Sequence, residues 1–310
     1  MKALITGAAG FVGSHLTNEL ISNGWDVSGT KLPTEPASLN IPVFGLDILD
    51  AAAVTGLLKK IKPEYIFHLS AQSSVPISWK QPAKTVDVNL KGVVNLLEAI
   101  REMENPPRVL LVGSGDEYGY VLPEELPVSE DTPLRPGNVY ACTKIAQGMT
   151  GQIYARAYGL EIVVVRAFNH IGPGQTDAFV MPGFCKQIAN IEANGGTGVI
   201  RVGNLEAKRD FTDVRDIVKA YRLLALKGES GEVYNVGSGT SVKIQDILDK
   251  LLKLSKAGIS VEQDPARMRP SDTPVIEADI SKVTKCTGWK PEIPLETTLE
   301  DVLNEWRAKS

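Results

Sequence analysis

The chain has 310 residues, 43% hydrophobic and 23% charged, which suits a soluble globular protein with more mass than one core usually holds. A formal net charge of −4 offers no broad basic surface to nucleic acid or an anionic membrane, so local Arg clusters must meet any anion. No apolar run approaches a membrane span, and Cys142, Cys185 and Cys286 are too scattered for a metal site or a disulfide framework, which suits a reducing cytoplasm.

In chain order, Lys2–Thr6 reads as a buried strand, because its apolar run stops at Thr6-Gly7, too early for a secretory leader. Phe11–Ser22 reads as a helix ending near Gly24, and 26–30 as a second strand. Asp50 is placed to cap a helix over Ala51–Ile61, which stops before Pro63. A third strand spans 65–69. Pro82 opens a long helix reaching about Met103, and 108–114 is the next strand. A helix over 138–158 ends at Gly159, followed by a strand over 162–166.

Strands alternating with helices predict right-handed βαβ units and a parallel sheet. The apolar runs Val109-Leu-Leu-Val112 and Ile162-Val-Val-Val165 fit strands buried on both faces. After Asn169 Pro and Gly become frequent and the alternation is interrupted. The fold class is therefore α/β: a Rossmann-like, doubly wound parallel sheet with a smaller, mixed C-terminal substrate lobe. Residues 1–168 plus about 210–237 form the dinucleotide-binding domain, and about 169–209 and 238–310 form the lobe, at the sheet's carboxyl edge.

The helix after Pro82 is apolar nearly all round (Val86, Val88, Leu90, Val93, Val94, Leu96, Leu97, Ile100), more than one sheet face needs. Helix 138–158 carries small residues that permit close approach. These two helices, about 82–104 and 138–158, predict a homodimer.

Gly7, Gly10 and Gly13, with Phe11 and Val12 between, form G-x-x-G-x-x-G directly after a strand and at a helix start. Glycine lets the backbone approach a pyrophosphate, and a helix N-terminus favours its charge. The second strand ends at Gly29-Thr30-Lys31, without the acid that often meets an NAD ribose. Thr30 and Lys31 instead suit a 2′-phosphate, which favours NADP(H), with NAD(H) as the alternative. Asp47 and Ile48 are placed near an adenine.

Tyr140 and Lys144 lie four residues apart, on one helix face, and Ser114 ends a strand 26 residues before the Tyr. The Lys charge should draw the Tyr pKa down toward working pH. A Tyr so placed exchanges a proton with a carbonyl or alcohol oxygen, and Ser114 hydrogen-bonds the same oxygen. His170 and His68 read as structural, and His15 shows no role.

These motifs, with His68-Leu-Ser-Ala71, Tyr118-Gly119 and Arg166-Ala-Phe-Asn169, resemble the extended short-chain dehydrogenase/reductase family over essentially the whole chain. Phe168-Asn-His-Ile-Gly-Pro-Gly-Gln175, Gly203-Asn-Leu-Glu-Ala207, Arg209-Asp-Phe-Thr-Asp213, Asp264-Pro-Ala-Arg-Met-Arg-Pro270 and Thr287-Gly-Trp-Lys-Pro291 carry a likeness to its GDP-4-keto-6-deoxy-D-mannose reductases, which form GDP-D-rhamnose. The resemblance implies Tyr140 as acid/base, Lys144 as its partner and ribose ligand, and Ser114 as the polarising hydroxyl. It implies Leu69, Ala71 and Asn89 in the cofactor groove. It further implies Asn169, Arg209 and Arg269 on the sugar diphosphate, Val180 and Asn204 in the guanine pocket, and Ser73 near the sugar.

GDP-mannose 4,6-dehydratases share much of this pattern, with Thr-x-Glu four and two residues before their Tyr-Gly. Here those positions hold Ser114 and Asp116. An Asp reaches about 1.3 Å less than Glu, one backbone-bond length. A misplacement of that size costs about 100-fold in rate. Glu117 should point elsewhere if the segment is extended. The expected reaction is therefore NADPH-dependent reduction of the C4 ketone. The dehydratase and a GDP-6-deoxy-D-talose-forming reductase are the alternatives, and a non-catalytic nucleotide-binding regulator is the remote one.

Overall fold

The computed structural model describes residues 1–36, 38–267 and 273–310. Strand β1 (Lys2–Thr6) leads through helix α1 (Phe11–Ser22) to β2 (Asp26–Lys31) and the short β3 (Val43–Gly45). Helix α2 (Ala51–Ile61) is capped by Asp50, whose carboxylate accepts the Ala53 N–H at 2.9 Å. Then come β4 (Tyr65–His68), α3 (Val75–Lys80), α4 (Pro82–Val86) and α5 (Gly92–Arg101), followed by β5 (Arg108–Val112), α6 (Val139–Tyr158) and β6 (Ile162–Ala167).

All strands of the main sheet run parallel, in the order β10-β6-β5-β4-β1-β2-β3, where β10 is Val233–Val236. The order reverses beside β1, between β2 and β4, which opens the crevice where such sheets bind nucleotides. On one face, Leu16 and Leu20 of α1 pack with Ile217, Tyr221 and Leu224 of α8 (Val214–Lys227). On the other, Val54 and Leu58 of α2 pack with Leu96, Leu97 and Ile100 of α5. Residues 109–111 and 162–165 are buried, as strands covered on both faces require.

The lobe holds β7 (Asn169–Ile171), β9 (Lys208–Asp213) and β11 (Ser241–Lys243) in one mixed sheet, and β8 (Thr197–Val202) paired with β12 (Gly258–Gln263) in another. Helices α7 (Val180–Ala193), α9 (Ile244–Lys253) and α11 (Leu295–Lys309) close its core around Phe184, Ile188, Ile247, Leu251, Leu299 and Leu303. Within 238–310, grouped above with the lobe, α10 (Ser281–Thr287) packs on α8, and Val283 and Trp289 join the core of the main sheet.

Three local expectations change. The strand expected over 108–114 ends at Val112, because Gly115–Glu117 turns into a 3₁₀ helix capped by Ser114. The helix expected from Pro82 contains a π-helical segment, Asp87–Lys91, between α4 and α5. Glu117 is not on extended backbone: the turn folds its carboxylate back into the protein, where it is 1% exposed.

Candidate active site

The glycine turn is propped from below by the end of β2. Thr30 is buried, and its hydroxyl accepts the Gly7 N–H at 3.2 Å while its carbonyl accepts the Ala8 N–H at 2.8 Å. Gly7 adopts φ +75°, and a Cβ at Gly13 would lie 2.4 Å from the Gly7 carbonyl oxygen. Gly10 caps α1 without a side-chain hydrogen bond, so the first-turn amides, those of Phe11 and Val12 among them, stay available to an anion. The Phe11 ring stacks on His170 (6.1 Å between centroids, 10° between planes) and meets His15 edge-on. Phe11 thus joins the turn to the lobe.

Lys31 folds its ammonium onto the carbonyls of Leu32, Pro33 and Glu35. A 2′-phosphate would have to draw Lys31 from those carbonyls, because Thr30 is turned inward. Asp47 is exposed and receives the Leu49 N–H, whereas Ile48 is buried.

The opposite rim begins at β4. The Thr6 hydroxyl and His68 Nδ1 are 2.9 Å apart, and Thr6 also accepts the Ser70 N–H. Burial drives the His68 pKa down to about 3, with Lys144 adding to the shift, so the ring is neutral. Half-buried Leu69 and Ala71 follow. Asn89, fully buried in the π-helical segment, grips Gln72 at both its N–H (2.8 Å) and its carbonyl (3.1 Å). Asn89 also donates to Thr143 Oγ1 at 2.9 Å, and Thr143 donates to the Tyr140 carbonyl at 2.7 Å. Its carboxamide therefore ties the rim to α6.

Tyr140 and Lys144 occupy the first turns of α6, which Asn138 caps by accepting the Ala141 N–H. The Lys144 ammonium lies 6.0 Å from the Tyr140 ring centre. It donates to the Val112 carbonyl at 2.8 Å and to Gln147 Oε1 at 3.1 Å. Gln147 Nε2 donates to the same carbonyl at 3.0 Å. The Ser114 side chain approaches the Tyr140 phenol, and its hydroxyl accepts the Asp116 N–H at 3.2 Å.

The expected fall of the Tyr140 pKa is not found. Burial pushes the phenol up, the Asp116 and Glu117 carboxylates add to the rise, and Ser114 opposes it. Lys144 is itself desolvated, down to about 8, with Glu117 opposing that shift. The site therefore stores a protonated phenol, which suits proton donation.

Among the residues implied for the sugar nucleotide, Asn169 lies on β7, and Arg209 lies on the adjacent β9. Arg209 Nη1 donates to the Lys208 and Thr273 carbonyls at 2.8 and 2.7 Å. Val180 opens α7 and is exposed; Asn204 follows β8 and accepts the Glu206 N–H at 2.9 Å. Gly203 lies against the Arg267 carbonyl, too close for a Cβ. Ser73 is exposed beside the Ser74 cap of α3. Arg269 lies outside the described residues.

Sequence reasoning missed Gln147 and the Glu117–Arg166 pair. Gln147 lies three residues past Lys144, at helical spacing, which could have flagged it. Glu117 could have been found from Ser114-Gly-Asp-Glu117, a Ser-x-x-Glu capping box. His15, given no role above, approaches the Pro173 carbonyl at 2.8 Å and so links α1 to the loop after β7.

Residues 4–302 match the family model for GDP-mannose 4,6 dehydratase. The chain is 34% identical to the GDP-6-deoxy-D-mannose reductase of Pseudomonas aeruginosa, covering 99% of this chain and 98% of that one. It is 29% identical to a GDP-mannose 4,6-dehydratase of Yersinia enterocolitica, covering 95% and 91%. The structure of RMD from Pseudomonas aeruginosa complexed with NADPH superimposes with a TM-score of 0.88 at 32% identity, covering 100% and 99%. Agreement of this length makes the chain a member of the GDP-mannose 4,6 dehydratase family, within the extended short-chain dehydrogenases/reductases.

Proposed function

We propose that the chain is an NADPH-dependent reductase that converts the C4 ketone of GDP-4-keto-6-deoxy-D-mannose to the alcohol of GDP-D-rhamnose. The observation that carries this reading is the turn after β5. Glu117 is committed to the Ser114 amide and Arg166, which leaves Asp116 as the carboxylate beside Tyr140. That arrangement can protonate a developing alkoxide. It is poorly equipped to move the further proton that loss of water requires. The likeness to a GDP-6-deoxy-D-mannose reductase supports the same choice.

When bound, the nicotinamide cofactor would supply the hydride to C4. Ser114 donates to the ketone oxygen, and Tyr140 gives it the proton. Lys144, held by the Val112 carbonyl and Gln147, would meet the nicotinamide ribose with its remaining donor. The glycine turn would hold the pyrophosphate, and Lys31, drawn from the Leu32, Pro33 and Glu35 carbonyls, would hold the 2′-phosphate; NAD(H) is the alternative cofactor. Asn169, Arg209 and Arg269 receive the sugar diphosphate, Val180 and Asn204 the guanine, and Ser73 the sugar. The planar guanidinium fork suits phosphate oxygens. The same reading includes a homodimer through the α4–α5 and α6 faces.

The test is NADPH consumption with GDP-4-keto-6-deoxy-mannose, followed by NMR assignment of C4. Turnover to the D-rhamno product is expected, and the D-talo product would shift the reading to the epimeric reductase. A dehydratase is the second reading, favoured by the family model and the Yersinia relative. Efficient formation of the 4-keto sugar from GDP-mannose with catalytic NADP+ would establish it instead.

A further inference from the structure

Glu117 is nearly sealed, its side chain 2% exposed, yet its two carboxylate oxygens do different work. Oε1 accepts the Ser114 N–H at 2.8 Å, and Oε2 accepts from Arg166 Nε at 2.9 Å. Arg166 is itself anchored: Nη1 donates to Tyr118 Oη at 3.1 Å and to the Glu130 carbonyl at 3.0 Å. Gly113 gives the carboxylate its room, since a Cβ there would lie 2.3 Å from Glu117 Oε1. A buried ion pair of this kind is weak evidence for stability, because desolvation offsets its attraction. Its position is more telling, because the hydrogen-bonded amide belongs to Ser114, whose side chain lies beside Tyr140.

We propose that Glu117 is a positioning residue of the catalytic centre. Its carboxylate, braced by Arg166, fixes the backbone of Ser114 on the turn beside Tyr140 and Lys144. The proposal rests on the reductase reading for its kinetic arm only. With the amide fixed, the Ser114 backbone is held at φ −151°, ψ 145°, and its side chain stays beside the Tyr140 phenol. Burial pushes the Glu117 pKa up, Arg166, the Ser114 amide and Lys144 oppose that rise, and the carboxylate in turn opposes the desolvation of Lys144. The other titratable groups beside the ammonium are His68 from β4, neutral here, and Tyr140 on its own helix, while Asp116 on the turn acts on Tyr140.

Glu117→Gln keeps the size and one acceptor but removes the charge. The kcat for ketone reduction should fall about 10–100-fold while the KM for the GDP-sugar moves less than about threefold, because the lobe is untouched. The basic limb of the kcat profile should move at least half a pH unit lower. The double variant Glu117→Gln/Arg166→Met removes the orphaned cation and guards against loss of folding. It should show the same kcat loss and the same shift. The side-chain 15N resonance of Lys144, followed against pH in the wild type and both variants, reports on Glu117 whatever the substrate. A midpoint lowered by half a unit or more supports the proposal. An unchanged midpoint, or a folded variant with wild-type kcat and pH profile, overturns it. A wild type that titrates as expected yet leaves the 4-keto sugar unreduced removes the reductase reading alone.

Discussion

Lys144 shows how the chemistry of one residue becomes a stability statement. Its pKa is lowered from 10.5 to about 8, chiefly by burial. The unfolded chain therefore holds the Lys proton across the window in which the folded protein has released it. Stability must rise with pH through that window, and the penalty of the buried ammonium is fully present below about pH 8. Unfolding free energies from urea titrations should show the wild type gaining about 2 kcal/mol relative to Lys144→Met between about pH 7.5 and 9.5. A difference that stays flat would mean that the ammonium is better solvated than its position implies. Tyr140 contributes little below about pH 9, because its phenol stays protonated in the folded protein and an unfolded tyrosine ionises only near pH 10. The Tyr-x-x-x-Lys spacing correctly placed both side chains on one helix, but burial by distant elements reversed the expected direction of the Tyr shift.

At the scale of elements, the β1–α1 turn is determined by backbone crowding. In Gly13→Ala the new Cβ would lie 2.4 Å from the Gly7 carbonyl and 2.6 Å from that of Ala8, both main-chain atoms that cannot swing aside. The turn must open, and NADPH affinity measured by fluorescence titration should fall at least about tenfold, with a drop in melting temperature. Unchanged affinity would show that the cofactor does not use this turn. Such punctuation was legible. Gly7, Asp50 and Gly159 stand at their expected places in the turn, the α2 cap and the α6 end. The π-helical segment was not, because Asp87–Lys91 carries no Pro or Gly to mark it. What holds that segment is tertiary: Asn89 must reach both Gln72 and Thr143, which belong to two other pieces of chain. The 3₁₀ turn was partly legible, since its capping box was printed in Ser114-Gly-Asp-Glu117.

For the whole molecule, the parallel sheet followed from alternation, whereas the packing of α10 against α8 is a long-range choice. The same tertiary view gives the proposed dimer a definite surface. Cys142, Met149 and Ile153 line an exposed stripe of α6, and Val86 stands exposed on neighbouring α4, with Val86, Met149 and Ile153 at 42%, 53% and 52% exposure. Fully burying such a side chain contributes about 1.5–3 kcal/mol, and roughly half of that remains for one already half covered. Six of them across a two-fold axis would supply about 5–9 kcal/mol, against an association cost on the order of 4–15 kcal/mol. The margin is small enough for one charge per subunit to decide it. Light scattering of the wild type at tens of micromolar should give twice the 33.5 kDa chain mass, and Ile153→Glu should give the chain mass itself. Cys142 adds an independent readout, because it lies on the stripe: alkylation should be slow in the wild type and fast in Ile153→Glu. A wild type that is monomeric at that concentration, with Cys142 fully reactive, would return these helices to solvent and leave each subunit's site to act alone.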